Sequence, residues 1–217
     1  MQFRKNKIVK MSDLERRFSF DLSEENNLIS WGEFGIVRKV RDKLGKVYAG
    51  KFPKKMEFGY NFTLNDLRYF DRVATSRNHE SWIAKKIYEF NPELVLKPEG
   101  VFAVEYRNLG FYFPAFVSRY DESLKPISIG DINEIPFIKN LIEEGFFFWE
   151  DSEKKPNTLI SKEGKIKLID FGHWSYRGIV NPCPHLREES DEKLKYFFKK
   201  TSSYSQKILA SFIESSQ

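Results

Sequence analysis

The sequence predicts an α+β chain in two lobes, a β-rich N-lobe over residues 27–120 and a small helical C-lobe over 131–217, joined by a connector at 121–130. Three observations carry this expectation. Alternating apolar and polar runs separated by glycine turns dominate the first half. Helical stripes with a three-to-four-residue period recur in the second. Between them, the Ser, Pro and Gly residues of the connector suit a hinge. A length of 217 residues fits one domain spanning 1–217, and 41% hydrophobic residues, with 21 phenylalanines, can build a sizeable core.

In chain order, the run from Leu28 to Val40 reads as two strands joined across the turn Gly32-Glu33-Phe34-Gly35. A second turn at Gly45 leads into a third strand, Lys46-Val47-Tyr48-Ala49-Gly50-Lys51-Phe52. Glycines admit close backbone approach to phosphates, and a lysine on the adjacent strand can reach the same oxygens. Alone, such a hairpin is equally an ordinary turn followed by an exposed lysine. A helix is expected over 76–90, with Ser76 as N-cap and Ile83, Ile87 and Phe90 on one stripe. Glu80 falls on that stripe. A carboxylate there needs a cationic partner, unless it merely complements the helix dipole. Residues 53–75 read as an insertion, with Glu57 the reserve partner.

Asp131 starts a second helix carrying Phe137, Ile138, Leu141 and Ile142 and ending at Gly145. An acidic loop follows, with Asp151 and, six residues later, Asn157. From Asn157 to Asp170 the chain reads as strand, Gly164 turn and strand, closed by Asp170-Phe171-Gly172. Two carboxylates and an amide thereby converge, the groups that phosphoryl transfer from a magnesium nucleotide needs.

These segments resemble the protein-kinase fold over residues 28–172. The resemblance rests on Gly32, Gly35 and Val37 in the glycine loop, on Ala49 and Lys51 in the third strand, and on the Asp151, Asn157 and Asp170-Phe171-Gly172 series. It implies ATP and Mg²⁺ as cofactors. Gly32, Gly35, Val37, Ala49, Lys51 and Glu80 would form the nucleotide site, with Glu80 aligning Lys51 on the α- and β-phosphates. Asn157 and Asp170 would hold the metal, Asp151 would serve as base, and Lys154, or else Lys155, would contact the γ-phosphate. Three departures stand out. Ser30 replaces the first glycine, and Trp149-Glu150 replaces His-Arg, removing the usual partner of an activation-loop phosphate. The step from Asp151 to Asn157 is one residue longer than the family's usual spacing, which a loop insertion among 152–156 accommodates. A strict count would instead put Ser152 at the base position.

Only 45 residues follow Gly172, without an Ala-Pro-Glu-like segment, so the resemblance is to a minimal kinase of the compact atypical or bacterial effector kind. The expected function is Ser/Thr protein phosphorylation on a protein substrate. A pseudokinase that binds nucleotide or a partner and a small-molecule phosphotransferase are the alternatives, and an activating or host partner stays open.

The net charge of +5 is dispersed in small clusters, which disfavours nucleic acid as partner. Apolar runs such as 145–149 are too short to span a bilayer, and the N-terminus leads into no signal-like stretch. A soluble, intracellular and cytoplasmic chain without a membrane partner is expected, with delivery into a host cell if it is an effector. The single Cys183 excludes an internal disulfide and disfavours a cysteine-based metal site, and the scattered His79, His173 and His185 add little to it.

Overall fold

The computed structural model describes residues 4–21, 27–31, 35–53, 64–107, 110–126, 136–148 and 158–181. Its elements are β1 (Arg4–Lys5), a 3-10 turn at Met11–Asp13, β2 (Ser19–Phe20), β3 (Leu28–Trp31), β4 (Ile36–Arg41), β5 (Val47–Phe52) and α1 (Leu64–Phe90). Then come β6 (Pro98–Tyr106), β7 (Phe111–Arg119), β8 (Lys125–Pro126), α2 (Pro136–Glu144) and β9 (Phe146–Phe148). The chain continues through β10 (Thr158–Ile160), β11 (Ile166–Leu168), β12 (Trp174–Tyr176) and β13 (Ile179–Val180).

The principal sheet has the order β2-β6-β7-β5-β4-β3. β2 pairs in parallel with β6 and also bonds to β4 at Ser19 and Arg41, so it bridges two strands otherwise separated by β7 and β5. Strict alternation explains why β4 and β5 are strands: Ile36, Arg38 and Val40 are buried on one face of β4, and Tyr48, Gly50 and Phe52 on one face of β5. Phe18, Phe20, Val40, Tyr48, Phe52, Phe102, Val104 and Phe113 form the core of this sheet. Phe18 meets Tyr48 and Phe102 edge-on, with ring centres 5.0 and 4.7 Å away. The sheet thus takes up residues upstream of Asn27.

The helix expected over 76–90 extends instead over Leu64–Phe90, so Ser76 lies mid-helix rather than at a cap. Part of the segment read as an insertion belongs to it, and Phe70, Val73 and Ala74 continue its buried face. The shorter reading followed amphipathic periodicity, which fails here because Thr75, Ser76, Arg77, His79, Glu80 and Ser81 are all buried as well. Phe90, expected on the apolar stripe, is exposed.

The N-terminal arm is what covers α1 on the far side. It runs antiparallel to the helix: the Val9 N–H donates to Thr75 Oγ1 at 3.0 Å and the Met11 N–H to Asp71 Oδ1 at 2.7 Å. Asn6 Nδ2 lies 3.3 Å from His79 Nδ1. Asp71, Thr75 and His79 are four residues apart and so share one face of α1. Before reaching the helix, β1 pairs in parallel with β13.

A second core joins α1 to the rest. Ile83, Ala84 and Ile87 pack with Leu141, Phe146, Phe147, Leu168, Phe171 and Trp174. Gly145, at φ 103°, ends α2 and turns the chain into β9, as its sequence position implied. The start expected for that helix at Asp131 lies outside the described residues. No helix among the described residues is long and apolar enough to cross a membrane.

Candidate active site

Lys51 lies on β5, on the face opposite the buried side chains of Tyr48 and Phe52. Antiparallel register puts Val37 of β4 directly across from it and Ala49 two residues along, so all three share one half-buried face. Phe116 of β7 stands across from Lys51 on the other side. Sequence reasoning did not single out Phe116, since a phenylalanine in a continuous apolar run carries no mark of its own.

From this face the Lys51 ammonium reaches across to α1 and to the end of β11. It donates to Glu80 Oε1 at 2.8 Å and to Asp170 Oδ1 at 2.6 Å. Arg77 Nη1 donates to the same Glu80 oxygen at 2.9 Å, while Nη2 is 3.4 Å from the Phe52 carbonyl. The Glu80 and Arg77 side chains are only 2% and 3% exposed. Uncompensated, a carboxylate so buried would cost several kcal/mol or change its protonation. Two cations converge on it, and two carboxylates face two cations across the cluster. Arg77 was missed from the sequence, although a cation three residues before a helical glutamate is a legible pairing signal.

Asp170 has φ 62°, in the left-handed region that a non-glycine residue enters only under local constraint. That turn separates its carboxylate from the buried Phe171, which packs edge-on against Trp174 with ring centres 5.6 Å apart. Burial would push the Asp170 carboxyl up; the charge and hydrogen bond of Lys51, helped by Arg77 and His173, outweigh it and hold the pKa at about 2. The group is ionised throughout the neutral range.

Two glycines fix how closely these parts approach. A Cβ on Gly35 would lie 2.5 Å from the Phe52 carbonyl oxygen and 2.9 Å from Arg77 Nη2, and one on Gly172 would lie 2.8 Å from Glu80 Oε1. Neither position admits a side chain without displacing the cluster. β10 and β11 form the expected hairpin, Thr158 opposite Leu168, around Gly164 at φ 77°. The Leu168 N–H donates to the Leu94 carbonyl at 2.7 Å, tying the strand that delivers Asp170 to the turn that follows α1.

The structure therefore brings Gly35, Val37, Ala49, Lys51, Glu80 and Asp170 to one place. Gly32, Asp151, Lys154 and Asn157 lie outside the described residues. Among the described residues, no group of three His, Cys, Asp or Glu side chains could hold a metal ion.

The ammonium of Lys51 on β5 is paired with the helical Glu80, as the resemblance implies, and with the aspartate of the Asp-Phe-Gly triplet. The fold is protein-kinase-like. Citron Rho-interacting kinase of Mus musculus is 29% identical over 153 residues, 69% of this chain, and the chain spans 7% of that protein's length. The Rio2 kinase of Chaetomium thermophilum, crystallised as an ADP/Mg²⁺-phosphoaspartate complex, superposes with a TM-score of 0.45 at 14% identity, over 89% of this chain and 68% of that one. A second crystal structure of that Rio2 kinase gives 0.43 at 16% identity, over 89% and 70%. No protein-family profile matches the sequence.

Proposed function

We propose that this kinase-like chain is an ATP- and Mg²⁺-dependent phosphotransferase, specifically a minimal two-lobed protein kinase that phosphorylates Ser or Thr hydroxyls. The observation that carries the reading is the Lys51 ammonium bonded to both Glu80 and Asp170 beside a Gly35 that has no room for a Cβ. A nucleotide fits the residues present. Gly35 lets β4 begin close against β5 and Arg77 beside Lys51, Lys51 supplies a cation, and the ionised Asp170 supplies a hard oxygen donor suited to Mg²⁺. When bound, the magnesium nucleotide provides the γ-phosphoryl group to be transferred and the metal charge that offsets its oxygens.

In this reading Lys51 orients the α- and β-phosphates, and Glu80 keeps the ammonium from swinging away. Asp170 and Asn157 are the metal-holding residues. Asp151 accepts the proton of the substrate hydroxyl, and Lys154 faces the γ-phosphate. Val37, Ala49 and Phe116 offer an apolar wall to a base.

The test is magnesium-dependent transfer of labelled phosphate from ATP to the chain itself, to generic proteins, and to sugars and aminoglycosides, with wild type beside Asp170→Ala. Transfer to protein hydroxyls by the wild type alone supports the proposal, whereas transfer only to small molecules replaces the substrate class. Binding of ATP without transfer to any acceptor would leave the pseudokinase reading, which Trp149-Glu150 and the longer step from Asp151 to Asn157 favour.

A further inference from the structure

The segment that follows the Asp-Phe-Gly triplet is bonded directly to α1 beside Glu80. The Asn181 Nδ2 amide donates to Ser76 Oγ at 3.2 Å and to the Gly172 carbonyl at 3.0 Å, so one buried side chain ties the triplet to the helix. His79, adjacent to Glu80 and fully buried, lies with Nε2 2.6 Å from the Trp174 carbonyl. A carbonyl only accepts, so Nε2 carries the proton. Burial holds the ring neutral, with a pKa near 4 despite the hydrogen bond to Trp174 and the charge of Glu80. Nδ1 is therefore left as acceptor for the Asn6 amide of the N-terminal arm. β1 of that arm pairs with β13, immediately before Asn181, which closes a ring of arm, helix and post-triplet segment.

We infer that His79 and Asn181 are positioning residues: they fasten α1 to residues 172–181 so that Glu80 stays on Lys51 without any phosphorylated side chain. The inference rests on the phosphotransferase reading for its consequence in catalysis, but the fastening itself exists in the ligand-free chain. Its geometry is specific. The two bonds are made by Ser76 and His79, flanking Arg77 and just before Glu80, so they fix the turn of α1 whose side chains meet Lys51. The absence of an Arg before Asp151 removes the usual docking partner of an activation-loop phosphate, and this clamp supplies the restraint from within the chain.

The experiment compares wild type, His79→Leu, His79→Gln and Asn181→Leu by hydrogen exchange of the α1 amides without nucleotide, and by steady-state kinetics with ATP. His79→Gln keeps an N–H donor for the Trp174 carbonyl; His79→Leu fills the space without one. Loss of one buried hydrogen bond next to Glu80 is expected to speed exchange around residues 76–84 about tenfold. In the same two leucine variants kcat falls about tenfold while KM for ATP moves less than about twofold, because Lys51 is misdirected rather than removed. His79→Gln recovers most of both losses. Should His79→Leu fail to fold, Asn181→Leu and the milder Ser76→Ala carry the comparison. Unchanged α1 exchange in the leucine variants overturns the inference. Equal damage by His79→Gln and His79→Leu also overturns it, since packing and not the bond would then be at stake. Faster exchange in variants of a wild type that transfers no phosphate would uphold the clamp and remove the phosphotransferase reading alone.

Discussion

Lys51 and Asp170 stand 119 residues apart in the chain, and their side chains meet at 2.6 Å. The contact joins β5 of the large sheet to the triplet after β11, and Glu80 accepts from the same ammonium. Lys51→Met is therefore expected to lower phosphate transfer by about 100-fold or more, the scale on which loss of one donor to a transition-state oxygen acts. The fold should persist, because Arg77 still compensates Glu80. Phosphate transfer assays beside a circular dichroism spectrum test both halves; undiminished transfer removes Lys51 from the site.

Gly172→Ala probes the other side of the cluster. Its Cβ would stand 2.8 Å from Glu80 Oε1, the oxygen that both Lys51 and Arg77 use. Either the triplet or Glu80 must retreat, so transfer should fall by at least about tenfold, with a stability loss of about 1–3 kcal/mol from the overpacked site. Urea denaturation beside the transfer assay measures the two effects, and a variant equal to wild type in both would contradict the close approach.

Much of this site was legible in the sequence because its determinants are local. The antiparallel pairing of β3 with β4, the alternation that sends Lys51 and Ala49 to one face, and the Gly164 hairpin are each set by neighbours in the chain. Glu80 was legible as a carboxylate on a buried helical face. What escaped depends on tertiary burial: residues 75–81 in the middle of α1 look polar, and only the N-terminal arm on one side and the post-triplet segment on the other make burial of Thr75, Ser76 and His79 tolerable. The arm itself carries no strong periodicity, since at Val9 and Met11 it meets α1 through backbone N–H groups and at Asn6 through a polar side chain. Phe116 was hidden for the opposite reason, because its strand pattern is ordinary and its place across from Lys51 follows only from register.

Asp170→Asn keeps the shape of the side chain and removes its charge. A carboxylate held ionised at a pKa of about 2 is a hard anionic donor at neutral pH, and an amide is a much poorer one. Affinity for ATP in the presence of magnesium should fall about tenfold or more, while affinity in its absence changes little. Calorimetric titration with and without magnesium decides this; equal affinities for wild type and variant in magnesium would exclude Asp170 as a metal-holding residue.

Asp151 lies six residues before Asn157. If it is the proton acceptor, Asp151→Asn lowers turnover by about 100-fold or more with little change in nucleotide affinity, because a base acts on the hydroxyl. Ser152→Ala is then silent. Active Asp151→Ala protein would reject the assignment and turn attention to Glu150 and Glu153.

The buried His79 makes folding stability depend on pH. Its side chain meets Asn6, the Trp174 carbonyl and the Trp82 ring, and Glu80 is its chain neighbour. Burial depresses its pKa from 6.5 to about 4, against the opposing influence of the Trp174 bond and the Glu80 charge. A base with a folded pKa below its unfolded one takes up more protons when unfolded, so between those values stability rises with pH. The contribution is fully present above pH 6.5 and declines as pH falls towards 4, where it has lost about 3 kcal/mol. The unfolding free energy of wild type should therefore fall as pH is lowered through that window, in addition to what the carboxylates contribute below it. His79→Gln, which cannot titrate, should flatten the slope between pH 6.5 and 4.5 while retaining the donor to Trp174. Urea unfolding at half-unit pH steps would show this, and parallel curves for wild type and His79→Gln would mean that the ring is not held neutral.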